Sequence, residues 1–78
     1  MNIEIITPDK KLFSGEVSSV QFPGSDGSFG VMNNHAPLIA TLKKGNIKVP
    51  DQANHEQSFL VNGGVVEVLN NNITVLAE

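Results

Sequence analysis

Six serines, two histidines and eight carboxylates are among the side chains here that could do covalent or acid–base work. A nucleophilic serine needs a base within hydrogen-bond reach. Ser14, Ser18, Ser19, Ser25, Ser28 and Ser58 fall in strand or turn sequence, and no Gly-x-Ser-x-Gly elbow surrounds any of them. His35 and His55 lie in different loops, without Cys, Asp or Glu at the spacing of a metal site. Glu4, Asp9, Glu16, Asp26, Asp51, Glu56, Glu67 and Glu78 are scattered along the chain and read as solvated charges. A catalytic pair among them would need a convergence in space that spacing does not indicate. The chain has no cysteine, which removes disulfides and thiolate zinc sites. The run from Gly24 to Gly30 imitates a phosphate loop. It lacks the Lys-Ser/Thr ending, and no helix amino end is expected after it to hold the phosphate. It reads as a turn in which Gly24 and Gly27 supply positive φ and Asp26 bonds its own backbone. No catalytic residue, metal ligand, cofactor or small-molecule substrate is therefore expected.

The elements that carry these residues alternate with period two, and no helical period is sustained. Ile3 and Ile5 flank Glu4, and a turn follows at Thr7-Pro8-Asp9-Lys10. Leu12 to Val17 is extended, with Gly15 expected at a bulge or bend. Val20 and Phe22 alternate with Ser19 and Gln21, and the Pro23–Gly27 turn leads into Phe29 and Val31. Leu38 to Leu42 forms the next strand, and Lys43-Lys44-Gly45-Asn46 reverses the chain into Ile47-Lys48-Val49. Pro50 to His55 is the most polar stretch and reads as a surface loop. Glu56 to Asn62, Val65 to Leu69 and Ile73 to Ala77 are the closing strands, separated by Gly63-Gly64 and by Asn70-Asn71-Asn72. Asn tolerates positive φ, which suits a hairpin turn there. Pro37 holds Ala36 extended, so His35 either braces the Asn33-Asn34 turn or serves as an interface contact. The pattern predicts an all-β fold, a sandwich or a barrel of short strands.

At 78 residues the chain is one domain, 1–78. A net charge of −3, with no arginine, excludes the basic face that nucleic acid requires. No run approaches the ~20 apolar residues of a membrane span, and Met1-Asn2-Ile3-Glu4 does not open a signal peptide. Asn72-Ile73-Thr74 matches the glycosylation sequon but follows no secretory signal. Several strands are apolar on both faces: Ile5-Ile6, Leu38-Ile39-Ala40, Val65-Val66 and Val75-Leu76-Ala77. Either a small sandwich buries them unevenly near its rim, or another protein covers part of an outer face.

Four blocks give the chain a family likeness. They are Ile3–Pro8 with Leu12–Val17; Phe22-Pro23-Gly24-Ser25-Asp26-Gly27 with Phe29-Gly30-Val31; His35-Ala36-Pro37-Leu38-Ile39; and Val61–Val68 with Ile73–Ala77. In this order they resemble the amino-terminal domain of the epsilon subunit of F-type ATP synthases (delta in mitochondria). The resemblance implies an all-β fold, a small β-sandwich of about ten short, mostly antiparallel strands, serving as a non-catalytic central-stalk subunit. Such a subunit couples the gamma shaft to the c ring, so that proton-driven rotation supports ATP synthesis. It places His35, Ala36, Pro37, Leu38 and Ala40 against gamma, and Ser25, Asp26, Gly27 and Ser28 against the c ring. The implied location is the cytoplasmic face of the inner, energy-transducing membrane, as a peripheral component without direct insertion. Family members commonly continue into a carboxy-terminal helical hairpin that inhibits ATP hydrolysis. This chain stops at Glu78, so neither hairpin nor inhibitory arm is expected. Ser28 stands where the family often has a Glu near the ring, so no ionic contact to the ring is carried over to this position. Outside the family, the residues also allow a free-standing sandwich that binds a ligand or sugar. The absence of Trp and Tyr speaks against that reading.

Overall fold

The computed structural model describes residues 1–50 and 55–78. Nine strands are described: β1 (Asn2–Ile6), β2 (Lys11–Glu16), β3 (Ser19–Phe22), β4 (Phe29–Met32), β5 (Leu38–Leu42), β6 (Gly45–Pro50), β7 (Glu56–Val61), β8 (Gly64–Leu69) and β9 (Asn72–Ala77). They form a five-stranded sheet in the order β2-β1-β9-β8-β5 and a four-stranded sheet in the order β4-β3-β6-β7. No helix occurs among the described residues. Of the polar stretch expected as a loop, Pro50 ends β6 and His55 precedes β7, while 51–54 lie outside the described residues.

Strict alternation builds the core. Ile3, Ile5, Val66, Val68, Ile73 and Val75 point inward from the larger sheet, and Val20, Phe22, Val31, Ile47, Val49 and Val61 from the smaller. No buried side chain among the described residues is polar or charged, so the layer between the sheets carries no desolvated polar side chain to be satisfied. One pairing breaks the antiparallel rule. β1 runs parallel to β9, with Ile3 beside Ile73 and Ile5 beside Val75.

Two glycine expectations need correction. The bulge between β1 and β2 falls at Leu12, because Ile5 pairs with Phe13 and Ile6 with Lys11. Gly15 pairs in register with Ile3, and the Phe13 ring lies 3.4 Å from where its Cβ would sit. Gly27 has the expected positive φ of 127°, but Gly24 is not among the positive-φ residues. What requires glycine at 24 is close approach: a Cβ there would lie 2.4 Å from the Gly27 carbonyl oxygen and 2.8 Å from the Phe29 ring. The turn bond runs from Gly27 N to Gly24 O at 3.0 Å. The Asn hairpin forms as its residues require. Asn70 and Asn71 have φ of 51° and 64° between the paired Leu69 and Asn72, the left-handed pair that a two-residue turn needs.

Candidate functional site

The residues singled out for contact lie along one edge strand and at its two ends. β5 pairs with β8 on one side only, so it borders the larger sheet. Its first residue, Leu38, lies opposite Val68, and its last, Leu42, opposite Gly64. His35, Ala36 and Pro37 lead into the Leu38 end and are exposed. Asn34, with φ of 65°, donates its backbone N–H to Asn71 Oδ1 at 2.8 Å, which fastens this connection to the β8–β9 turn. His35 N closes the preceding turn onto Met32 O at 3.2 Å, while its ring Nδ1 lies 2.8 Å from Ala36 O. Sequence reading missed an anchor beside it: the Met1 amino group donates to Val17 O at 3.1 Å and to Asn33 Oδ1 at 2.9 Å. The Asn33 contact joins residues 32 apart, which spacing cannot signal.

The tip Ser25-Asp26-Gly27-Ser28 is exposed at the opposite end of β5. It is fastened there by four contacts. Gly24 bridges Leu42. Ser25 N donates to Thr41 O at 3.0 Å, and Lys43 N to Pro23 O at 2.9 Å. The Thr41 hydroxyl donates to Ser25 Oγ at 3.0 Å. The tip and the His35-Ala36-Pro37 segment thus lie at opposite ends of one five-residue strand, about 16 Å at a rise of ~3.3 Å per residue, whereas Ala40 sits beside the tip in a shared cleft. The tip end also gathers Lys10, Lys11, Lys43 and Lys44, beside Asp9, Asp26 and Glu78, because the turns that bear them close the same ends of the strands.

Within β5 the faces separate. Leu38 and Ala40 are half-buried and pack against the core, whereas Ile39 points outward and is 72% exposed. The outer face continues across the sheet. Thr41, Val65, Leu76 and Ile6 are successive cross-strand neighbours, and Ile39, Glu67, Thr74 and Glu4 form the next row. Val65 is 40% and Leu76 57% exposed, and Ile6 is half-buried. Glu4 reaches Lys11 at 3.0 Å, with both side chains largely in water. Such a pair contributes only ~0–1 kcal/mol. The smaller sheet differs. Its exposed apolar side chains, Met32 and Leu60, sit on β4 and β7, the two opposite edges, with polar Ser19 and Asn46 as their cross-strand neighbours. Scattered apolar residues of that kind are ordinary surface, while a contiguous set on one face marks an interaction surface. From the two-faced strands, the structure collects Ile6, Ile39, Val65 and Leu76 on one outer face of the larger sheet. Sequence reading named these strands but selected Leu38 and Ala40 within β5. The buried Leu42 supplies the missing signal, since alternation then puts Leu38, Ala40 and Leu42 on the inner side.

Among the described residues, no group of three or more His, Cys, Asp or Glu could hold a metal ion, and no helix is long and apolar enough to cross a membrane. These features define a two-layer β-sandwich with an apolar patch on the outer face of its larger sheet. Residues 1–78 match the model of the beta-sandwich domain of the ATP synthase Delta/Epsilon chain, and the chain belongs to that family. A relative named ATP synthase epsilon chain from Chlorobium limicola is 46% identical over 76 residues, which is 97% of this chain and 86% of that protein. Another of that name from Desulfatibacillum aliphaticivorans is 43% identical over 76 residues, again 97% of this chain. The chain spans only 54% of that second relative's length. A solved structure of the Tetrahymena thermophila mitochondrial ATP synthase, central stalk and c-ring, superposes with a TM-score of 0.81 at 21% identity. It covers 97% of this chain and 61% of that one.

Proposed function

We propose that this sandwich is a non-catalytic central-stalk component of an F-type ATP synthase that joins the gamma shaft to the c ring. The observation that carries the reading is the outer face of the five-stranded sheet, where Ile39, Val65, Leu76 and Ile6 form apolar surface flanked by Glu4 and Glu67. An apolar centre with a polar rim suits a lasting protein contact. Gamma covers this face and the adjoining His35-Ala36-Pro37 segment, with Leu38 and Ala40 reached at the open edge of β5. The tip Ser25-Asp26-Gly27-Ser28 rests on the c ring. The rigid attachment of the tip to Thr41 and Leu42, with the His35-Ala36-Pro37 segment at the other end of β5, supports this assignment, since a coupling element needs its contacts rigidly joined. Family membership and the central-stalk setting of the Tetrahymena likeness support it further. The subunit then sits peripherally at the cytoplasmic face of the energy-transducing membrane.

Size-exclusion of the chain mixed with the gamma subunit from the same source tests the reading. A stable one-to-one complex is expected. Two separate peaks, with both proteins folded, would overturn the gamma assignment.

A further inference from the structure

We propose that Asn62 is a site of spontaneous deamidation, in which the backbone nitrogen of Gly63 attacks the Asn62 side-chain amide. The inference is independent of the rotor reading and rests on three observations. Asn62 is the one asparagine in the chain followed by glycine, so no Cβ hinders the attacking nitrogen. Its side chain is exposed and makes no hydrogen bond among the described residues. Gly63 N–H likewise has no acceptor among the described residues. Nucleophile and electrophile are therefore neighbours, and neither has a bond to give up before reacting.

The other described asparagines are protected. Asn33 Oδ1 accepts from the Met1 amine, Asn71 Oδ1 accepts from Asn34 N, and Asn72 Nδ2 donates to Asn70 O at 3.1 Å. Asn2, Asn46 and Asn72 precede isoleucine, whose branched Cβ crowds the approach. Asn34 and Asn70 precede His35 and Asn71, each of which carries a Cβ that Gly63 lacks.

The reaction balances without a cofactor. The Gly63 N–Cγ bond forms as the Cγ–Nδ2 bond breaks. The Gly63 amide proton leaves with the departing ammonia, and a cyclic imide results. Water then opens the imide at either carbonyl, giving Asp or isoAsp and one new carboxylate. That carboxylate arises at a clamp. Asn62 N donates to Glu78 O at 3.3 Å, and Glu78 N donates to Gly63 O at 3.0 Å. Both bonds join the backbone on either side of the reacting peptide to the last residue of the chain. The isoAsp product also adds a methylene to the backbone between the two bonds. Deamidation thus loosens the end of β9 where it leaves the sheet.

Incubation of the folded chain at neutral to mildly alkaline pH, followed by isoelectric focusing and peptide mapping, tests the proposal. An acidic species modified at Asn62 is expected to accumulate more than about tenfold faster than modification at any other asparagine, as the unhindered glycine nitrogen beside an unbonded side chain predicts. Its rate should rise with hydroxide concentration, because the attacking amide nitrogen must lose its proton. Asn62→Gln, which needs a larger ring to close, should remove the species while leaving the fold intact. An unmodified Asn62, or an acidic species that persists in N62Q, overturns the proposal.

Discussion

Replacing Ile39 by lysine separates the proposed interface from the core more cleanly than any change at Leu38 or Ala40. Those two side chains pack against the core, so charging either would perturb folding and binding together. Ile39 is 72% exposed, and its direct cross-strand partner is Glu67. A lysine there gains an opposite-charge pair of about 0.2–1 kcal/mol, whereas a glutamate would face a like charge. The Ile39→Lys fold should therefore keep its stability within about 0.5 kcal/mol, as surface substitutions generally do. Binding should respond differently. Full burial of an isoleucine is worth about 1.5–3 kcal/mol, and the exposed share leaves about 1–2 kcal/mol to be gained when gamma covers it. Losing that contribution alone weakens the complex by about 5–30-fold at ~1.4 kcal/mol per tenfold. A desolvated ammonium adds to the loss. Titration calorimetry against gamma, paired with a thermal melt, reads both quantities. Wild-type affinity in a folded I39K chain would refute the placement of gamma on this face.

Further outcomes follow from the turns and the core. Gly24→Ala should cost more than about 2 kcal/mol, since its Cβ meets a backbone oxygen at 2.4 Å that cannot step aside. At ~4–8 °C per kcal/mol for a domain of this size, a melt should show a drop of at least about 8 °C. Asn71→Ala should cost about 1.5–3 kcal/mol by denaturant titration, because it strains a residue at φ 64° and removes the acceptor of Asn34 N. Asn70→Gly, with the same backbone sign and no partner for its side chain among the described residues, should be nearly neutral by the same titration. Ile5→Ala, at a fully buried site, should cost about 2–5 kcal/mol by chemical denaturation, while Leu60→Ala on the exposed edge should change little.

The legible parts of this fold are those that single residues decide locally. Ser19–Phe22 alternates cleanly because one face is dry, and the structure keeps that alternation. Asn70-Asn71 predicts a left-handed turn because few other side chains tolerate one, and both residues adopt it. Leu12 shows the limit. Its extra residue is accommodated by the partner strand β1, so the bulge depends on a pairing that neighbouring residue types do not announce. Gly24 shows a second kind of limit. A glycine needed for close approach and one needed for positive φ look the same in sequence, and only the position of the Phe29 ring distinguishes them. The outer face was half legible. The two-faced strands were recognisable, but their union into one surface follows from the β5-β8-β9-β1 order, which composition does not contain.

That order also bears on how a domain this small could serve as a coupling element. A turn in water transmits little, because its backbone yields before its contacts do. Here the 25–28 tip is bonded to Thr41, and the 33–34 turn to Met1 and Asn71. Both attachments converge on the five-stranded sheet, one directly on β5 and the other through the β8–β9 turn beside the parallel β1–β9 pair. Displacing the tip relative to the 35–37 segment would then require shearing whole ladders of backbone hydrogen bonds, rather than reorienting a loop. In the proposed reading, stiffness between the two contacts comes from sheet order, and affinity comes from the apolar face beside them.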